Sequence, residues 1–85
     1  MTAIIDQGIG KALISHIEDL AKSMTFHRIG IGVGLYCDYG AAQTLYCKLG
    51  YIPDGKGVTY KNTPIKPGEN YPADDDLILW FTKML

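Results

Sequence analysis

The residues with the plainest chemistry stand near the start, in Gln7-Gly8-Ile9-Gly10-Lys11-Ala12-Leu13. Two glycines one residue apart remove Cβ atoms where a bulky ligand would approach the backbone. The periodic apolar residues that follow open a helix, and its first amide N–H groups have no intrahelical acceptor. Those donors, the positive end of the helix dipole and the Lys11 ammonium together suit a phosphate or diphosphate. Two familiar patterns do not fit. A P-loop needs Gly-x-x-x-x-Gly-Lys-Ser/Thr, yet Ile5 stands at the first glycine position and Ala12 at the magnesium-binding hydroxyl. The dinucleotide fingerprint needs a third glycine, and that position holds Leu13. At this level an amide cradle and a plain glycine turn both stay open.

Other reactive side chains are less organised. Cys37 and Cys47 match no zinc or redox spacing, which leaves them as ordinary thiols of a reducing compartment. His16 falls on the outward side of the first helical pattern. The run Asp74-Asp75-Asp76 offers metal-ligand chemistry, but consecutive carboxylates in a loop are more simply read as solvated. No metal is therefore expected. The chain has 85 residues, 47% hydrophobic and 20% charged, with a net charge of −1. That balance excludes disorder and fits one domain. Without a basic run, nucleic acid is not an expected partner. No apolar stretch approaches the length of a membrane span and no signal-peptide layout opens the chain, so a cytoplasmic protein with no membrane partner is expected.

These residues need elements to hold them. Residues 1–5 are too few for a proper strand before the glycine turn. From Gly8 to about Met24, Ile9, Leu13, Ile17, Leu20 and Met24 recur at helical spacing, with Ala12, Ile14 and Ala21 widening the stripe. Glu18 and Lys22 make an i,i+4 pair on the outer face. Ser23 to His27 turns the chain. In Arg28–Leu35, Ile29, Ile31, Val33 and Leu35 share one strand face, and Gly30, Gly32 and Gly34 the other. A face of hydrogens alone admits another backbone, a helix or an elongated ligand unusually close; the alternative is a weak strand whose register is loosely set. Asp38 is placed to cap a second helix, which runs to about Leu49 with Ala42, Leu45, Tyr46 and Leu49 inward. Gly50 supplies a left-handed residue, so Tyr51 can fold back on Tyr46 in a Schellman ending. This strand, helix and following segment read as a β-α-β unit. Pro53–Gly57 is a turn, Val58–Tyr60 is extended, Lys61–Asp76 is an exposed loop, and Leu77–Phe81 is a closing strand. The fold class is α/β, or α+β with a mixed sheet, carrying two helices.

The order of these parts resembles the C-terminal half of a GNAT-family N-acetyltransferase. The likeness rests on Gln-Gly-Ile-Gly-Lys-Ala-Leu opening a helix, then a strand, then Asp-Tyr-Gly-Ala-Ala-Gln-Thr-Leu-Tyr-Cys-Lys-Leu-Gly-Tyr. It implies that backbone amides of Gln7, Gly8, Ile9, Gly10, Lys11 and Ala12 hold the pyrophosphate of acetyl-CoA. The family's usual Gln or Arg five residues before the second glycine is Ile5 here. In the second motif, Asn-x-x-Ala-x-x-Leu-Tyr, Ala42, Leu45 and Tyr46 match, whereas Tyr39 stands for Asn. The resemblance gives Tyr39 and Ala42 a place beside the cofactor arm, and Tyr46 the role of general acid. A neutral phenol can protonate a departing thiolate, since its ordinary pKa is about 10; equally, Tyr46 can pack on the helix's apolar face. The acceptor would be an amine. The resemblance also implies that the family's N-terminal strands are missing, which makes this a truncated GNAT-like fold. The Arg28–Leu35 strand would then have an exposed edge and form a homodimer through it. An alternative is a non-catalytic fragment that binds CoA weakly or serves as an assembly module.

Overall fold

The computed structural model describes residues 2–4 and 10–85. In chain order the elements are β1 (Thr2–Ile4), α1 (Lys11–Ser23), β2 (Arg28–Gly34), a short 3₁₀ turn at Cys37–Tyr39, α2 (Gly40–Lys48), β3 (Ile52–Tyr60), β4 (Thr63–Pro64) and β5 (Leu77–Met84). They form an α+β fold with one sheet in the order β1-β2-β5-β3-β4. β1 runs parallel to β2, while β5 is antiparallel to both β2 and β3.

The alternation in β2 divides the sheet into two unlike faces. Ile29, Ile31 and Val33 are buried in one cluster with Ile14 of α1, Tyr46 of α2, Tyr51 and Phe81, so both helices cover the isoleucine face. Leu35, expected on that face, lies past the strand end and is exposed. On the other face the closely approaching groups are the Trp80 and Tyr39 rings and the Ile78 methyl. A Cβ on Gly32 would meet the Trp80 indole at 2.9 Å, and one on Gly34 would meet the Tyr39 ring at 2.4 Å. The bare strand thus makes room for the chain's own side chains.

Several local expectations are corrected. Residues 2–4 do form a strand, because β1 pairs with Gly30–Gly32 of β2. β2 is therefore flanked on both sides, and the edge expected for dimerisation is covered along those residues. α1 presents Ile14 and Ala21 to the core, whereas Leu13, Leu20 and Met24 remain exposed. The apolar sector of this helix is wider than the sheet can cover, and the line through small Ala21 permits the closer approach. Glu18 turns inward instead of pairing with Lys22: its carboxylate accepts from the Tyr51 hydroxyl at 2.7 Å and from the Lys83 ammonium at 3.0 Å. Asp38 does not cap α2; Tyr39 is the N-cap residue and caps through no side chain.

The ending of α2 follows the sequence closely. Gly50 has φ +93°, the Gly50 N–H donates to the Cys47 carbonyl, and the Tyr51 N–H donates to that of Tyr46. These two bonds, with the Tyr46–Tyr51 ring contact, make a Schellman ending. α1 ends the same way with Thr25 at φ +64° in the glycine position. The unit β2-α2-β3 is present, but β5 lies between its two strands. β3 absorbs the expected Pro53–Gly57 turn as a bulge. Its ladder with β5 passes from Pro53↔Phe81 directly to Val58↔Leu79, so Asp54–Gly57 stand opposite Trp80 alone.

Candidate functional site

β1, α1 and β2 form a parallel β-α-β unit. The chain leaves β1 at Ile4 and enters α1 at Lys11, and the parallel pairing of β1 with β2 requires α1 to run back along the sheet. The N-terminus of α1 therefore opens beyond the carboxyl ends of β1 and β2, where parallel α/β units bind their ligands. Gln7, Gly8 and Ile9 of the expected cradle lie outside the described residues. Gly10 is the N-cap residue, with φ −90° and ψ 171°, and no side chain among the described residues caps the helix. The Gly10 carbonyl accepts from the N–H groups of Leu13 and Ile14, so the amides of Lys11 and Ala12 precede the first internal bonds. A Cβ on Gly10 would meet nothing within 4 Å among the described residues. Lys11 and Ala12 are both exposed. Nothing acidic stands in the first turn, and the dipole there favours an anion.

The second motif is placed differently. Tyr46 is fully buried, its ring meeting that of Tyr51 edge-on with centroids 6.3 Å apart. Its hydroxyl is closed off from solvent in this conformation. Ala42 is half-buried and packs against the same core cluster. Tyr39 lies over Gly34, and its hydroxyl donates to Asp75 at 2.9 Å. That contact engages the hydroxyl expected beside a cofactor arm. At the same end of β2 the Gln43 side-chain amide donates to the Gly34 carbonyl at 2.8 Å. It thereby satisfies a backbone acceptor where the ladder ends.

The acidic run was expected to be solvated; Asp75 and Asp76 are exposed and Asp74 is half-buried, and Asp74 and Asp75 also anchor the loop to three tyrosines. Asp75 accepts from Tyr36 and Tyr39, and Asp74 accepts from Tyr60 at 2.9 Å. These bonds favour the ionised carboxylate and the neutral phenol. The hydrogen bond from Tyr36, followed by that from Tyr39, holds the Asp75 carboxyl below its ordinary 3.8. The Tyr36 and Tyr60 phenols are pushed above their ordinary 10.0, first by their bonds to Asp75 and Asp74. Tyr51 rises in the same direction, first through burial and then through its bond to Glu18. Only the alternation of tyrosines and aspartates over long separations could have hinted at these pairs. No group of three or more His, Cys, Asp or Glu stands ready to hold a metal among the described residues. No helix there is long and apolar enough to cross a membrane.

No protein-family model, curated protein or solved structure matches this chain.

Proposed function

We propose that the chain is an acetyl-CoA-binding domain of the N-acetyltransferase type, transferring acetyl to an amine. One observation supports this reading: β1 precedes the Gly-x-Gly segment in the chain, and α1 after it opens at Gly10 without a side-chain cap among the described residues, in a unit whose two strands run parallel. A glycine cradle gains rigidity from such a strand, which the sequence had not promised. Gly10, Lys11 and Ala12, with the neighbouring Gln7, Gly8 and Ile9, would hold the diphosphate through backbone amides and the Lys11 charge. Bound acetyl-CoA supplies the activated acetyl thioester. An attacking amine then displaces the thiolate, which needs a proton as it leaves.

The burial of Tyr46 favours a second reading, in which the domain binds CoA without catalysing transfer. Calorimetry with CoA, together with thiol release against a panel of amines, separates the two. Binding with thiol release supports the enzyme, and binding without release supports the module. The variant Gly10→Glu tests the cradle itself. A carboxylate there suits the helix dipole, and its Cβ would meet nothing within 4 Å among the described residues, so the fold should persist while CoA affinity falls at least about tenfold. Unchanged affinity would remove the cradle. Self-association through a sheet edge is carried forward with β1 as that edge, and light scattering showing only monomer over a wide concentration range would end it.

A further inference from the structure

Three large apolar side chains of α1 point away from the core: Leu13, Leu20 and Met24 are 45%, 44% and 53% exposed. Ile17 packs at the margin of the core cluster. Together the four recur alternately four and three residues apart and so form one stripe along the helix. None of the four charged residues of α1, Lys11, Glu18, Asp19 and Lys22, falls within a quarter turn of that stripe. Glu18 shows which way the stripe faces. It stands on the opposite flank of the buried line of Ile14 and Ala21, and its carboxylate bonds to Tyr51 and Lys83. Lys83 belongs to β5, and β5 and β1 flank β2 on opposite sides. The stripe therefore overhangs β1, which ends the sheet among the described residues.

Two surfaces thus share one edge of the molecule: the outer side of β1, with its ladder donors and acceptors, and the apolar stripe above it. A partner that satisfies both must present a strand and a helix in the same relation, and a second copy does so by construction. The spacing agrees. α1 crosses over the β1–β2 pair, and neighbouring strands stand about 4.8 Å apart. Joining two β1 edges would bring the two α1 helices to about 10 Å, the contact distance of packed helices. We propose that a second copy of this chain docks here about a twofold axis, β1 against β1 and α1 antiparallel to α1. Leu13 then faces the partner's Met24, and Ile17 the partner's Leu20. This pairing rests on the reading of β1 as the self-associating edge, and adds to it the stripe that closes over the joint; it is independent of the acetyltransferase reading. No charged side chain of α1 is buried by it, and a net charge of −1 gives little self-repulsion. The stripe, about 16 Å long and about 10 Å wide, falls well short of the roughly 800 Å² per partner of a standard interface. The dimer is therefore a weak one.

Light scattering and sedimentation of the full chain from about 10 μM to about 1 mM should show a reversible monomer–dimer equilibrium within that range. Leu20→Lys replaces an exposed side chain, so the urea midpoint should stay near the parent's. The dimer Kd should rise at least about tenfold, because each dimer carries the new charge twice. Met24→Lys should act alike. Ser15→Lys, exposed on the opposite side of α1, should leave the Kd unchanged. Amide shifts on dilution should centre on Leu13, Leu20, Met24 and residues 2–4. Monomer throughout would overturn both this pairing and β1 as the associating edge. A dimer left as tight by Leu20→Lys and Met24→Lys, or weakened equally by Ser15→Lys, would overturn the helix pairing alone. Shifts centred on another surface would do the same.

Discussion

Replacing Gly34 with alanine tests the idea that the glycine face exists to seat aromatic rings. The new methyl would stand 2.4 Å from both Cδ2 and Cε2 of Tyr39 and 2.9 Å from its Cγ. Carbon atoms rest near about 3.5 Å, so the ring would have to withdraw by about 1 Å. It has little room to do so. Tyr39 is 4% exposed, its edge meets Tyr36 at 5.0 Å between centroids, and its hydroxyl is tied to Asp75. Overpacking of this kind costs about 1–3 kcal/mol, and the loss of unfolded-chain freedom returns about 0.4–1 kcal/mol. A net destabilisation of about 1–2 kcal/mol is expected, which for a domain of this length lowers Tm by about 4–16 °C. Urea unfolding followed by Trp80 emission measures it. Gly40→Ala is the control: it lies at the start of α2 with nothing within 4 Å of its added Cβ, and should stabilise by up to about 1 kcal/mol. In a Tyr39→Ala background the Gly34→Ala penalty should nearly vanish. A Gly34→Ala chain as stable as the parent, or a penalty unchanged without the Tyr39 ring, would refute the reasoning.

Thr25 holds φ +64° as a β-branched residue, so Thr25→Gly should raise stability by about 1 kcal/mol in the same urea assay. The phenols of Tyr36, Tyr51 and Tyr60 are raised on folding, so their contribution is complete below the unfolded value of 10.0 and is lost as pH rises through their higher folded values. Asp75 is lowered, so its contribution is complete above 3.8 and disappears as pH falls through its folded value. Urea midpoints across pH should therefore fall on both flanks, with Tyr51→Phe flattening the alkaline one. If thiol release is found, Tyr46→Phe should lower it without changing CoA affinity in calorimetry, and an unchanged rate would leave Tyr46 a packing residue. Glu18→Gln should destabilise by about 1 kcal/mol, since it removes the charge that Lys83 and the Tyr51 hydroxyl share; an unchanged urea midpoint would place Glu18 among surface charges.

The local order of the chain fixed much of its secondary structure. Spacing placed both helices and β2, and Gly50 with Tyr51 specified the ending of α2, because neighbouring residues alone make those bonds. The start of α1 after the Gly-x-Gly-Lys sequence was legible for the same reason: the unpaired donors of a helix start belong to its own backbone. Tertiary structure decided the rest. Only pairing with β2 makes residues 2–4 a strand, since three residues carry no periodic signal of their own. Only the sheet's position chose Ile14 and Ala21 over Leu13 and Leu20 as the buried line of α1. The insertion of β5 between β2 and β3, the capture of Asp74 and Asp75 by distant tyrosines and the inward turn of Glu18 all join residues far apart in sequence. Such partners are selected by burial and by the need to satisfy polar groups at the end of folding, and spacing along the chain carries no record of that choice.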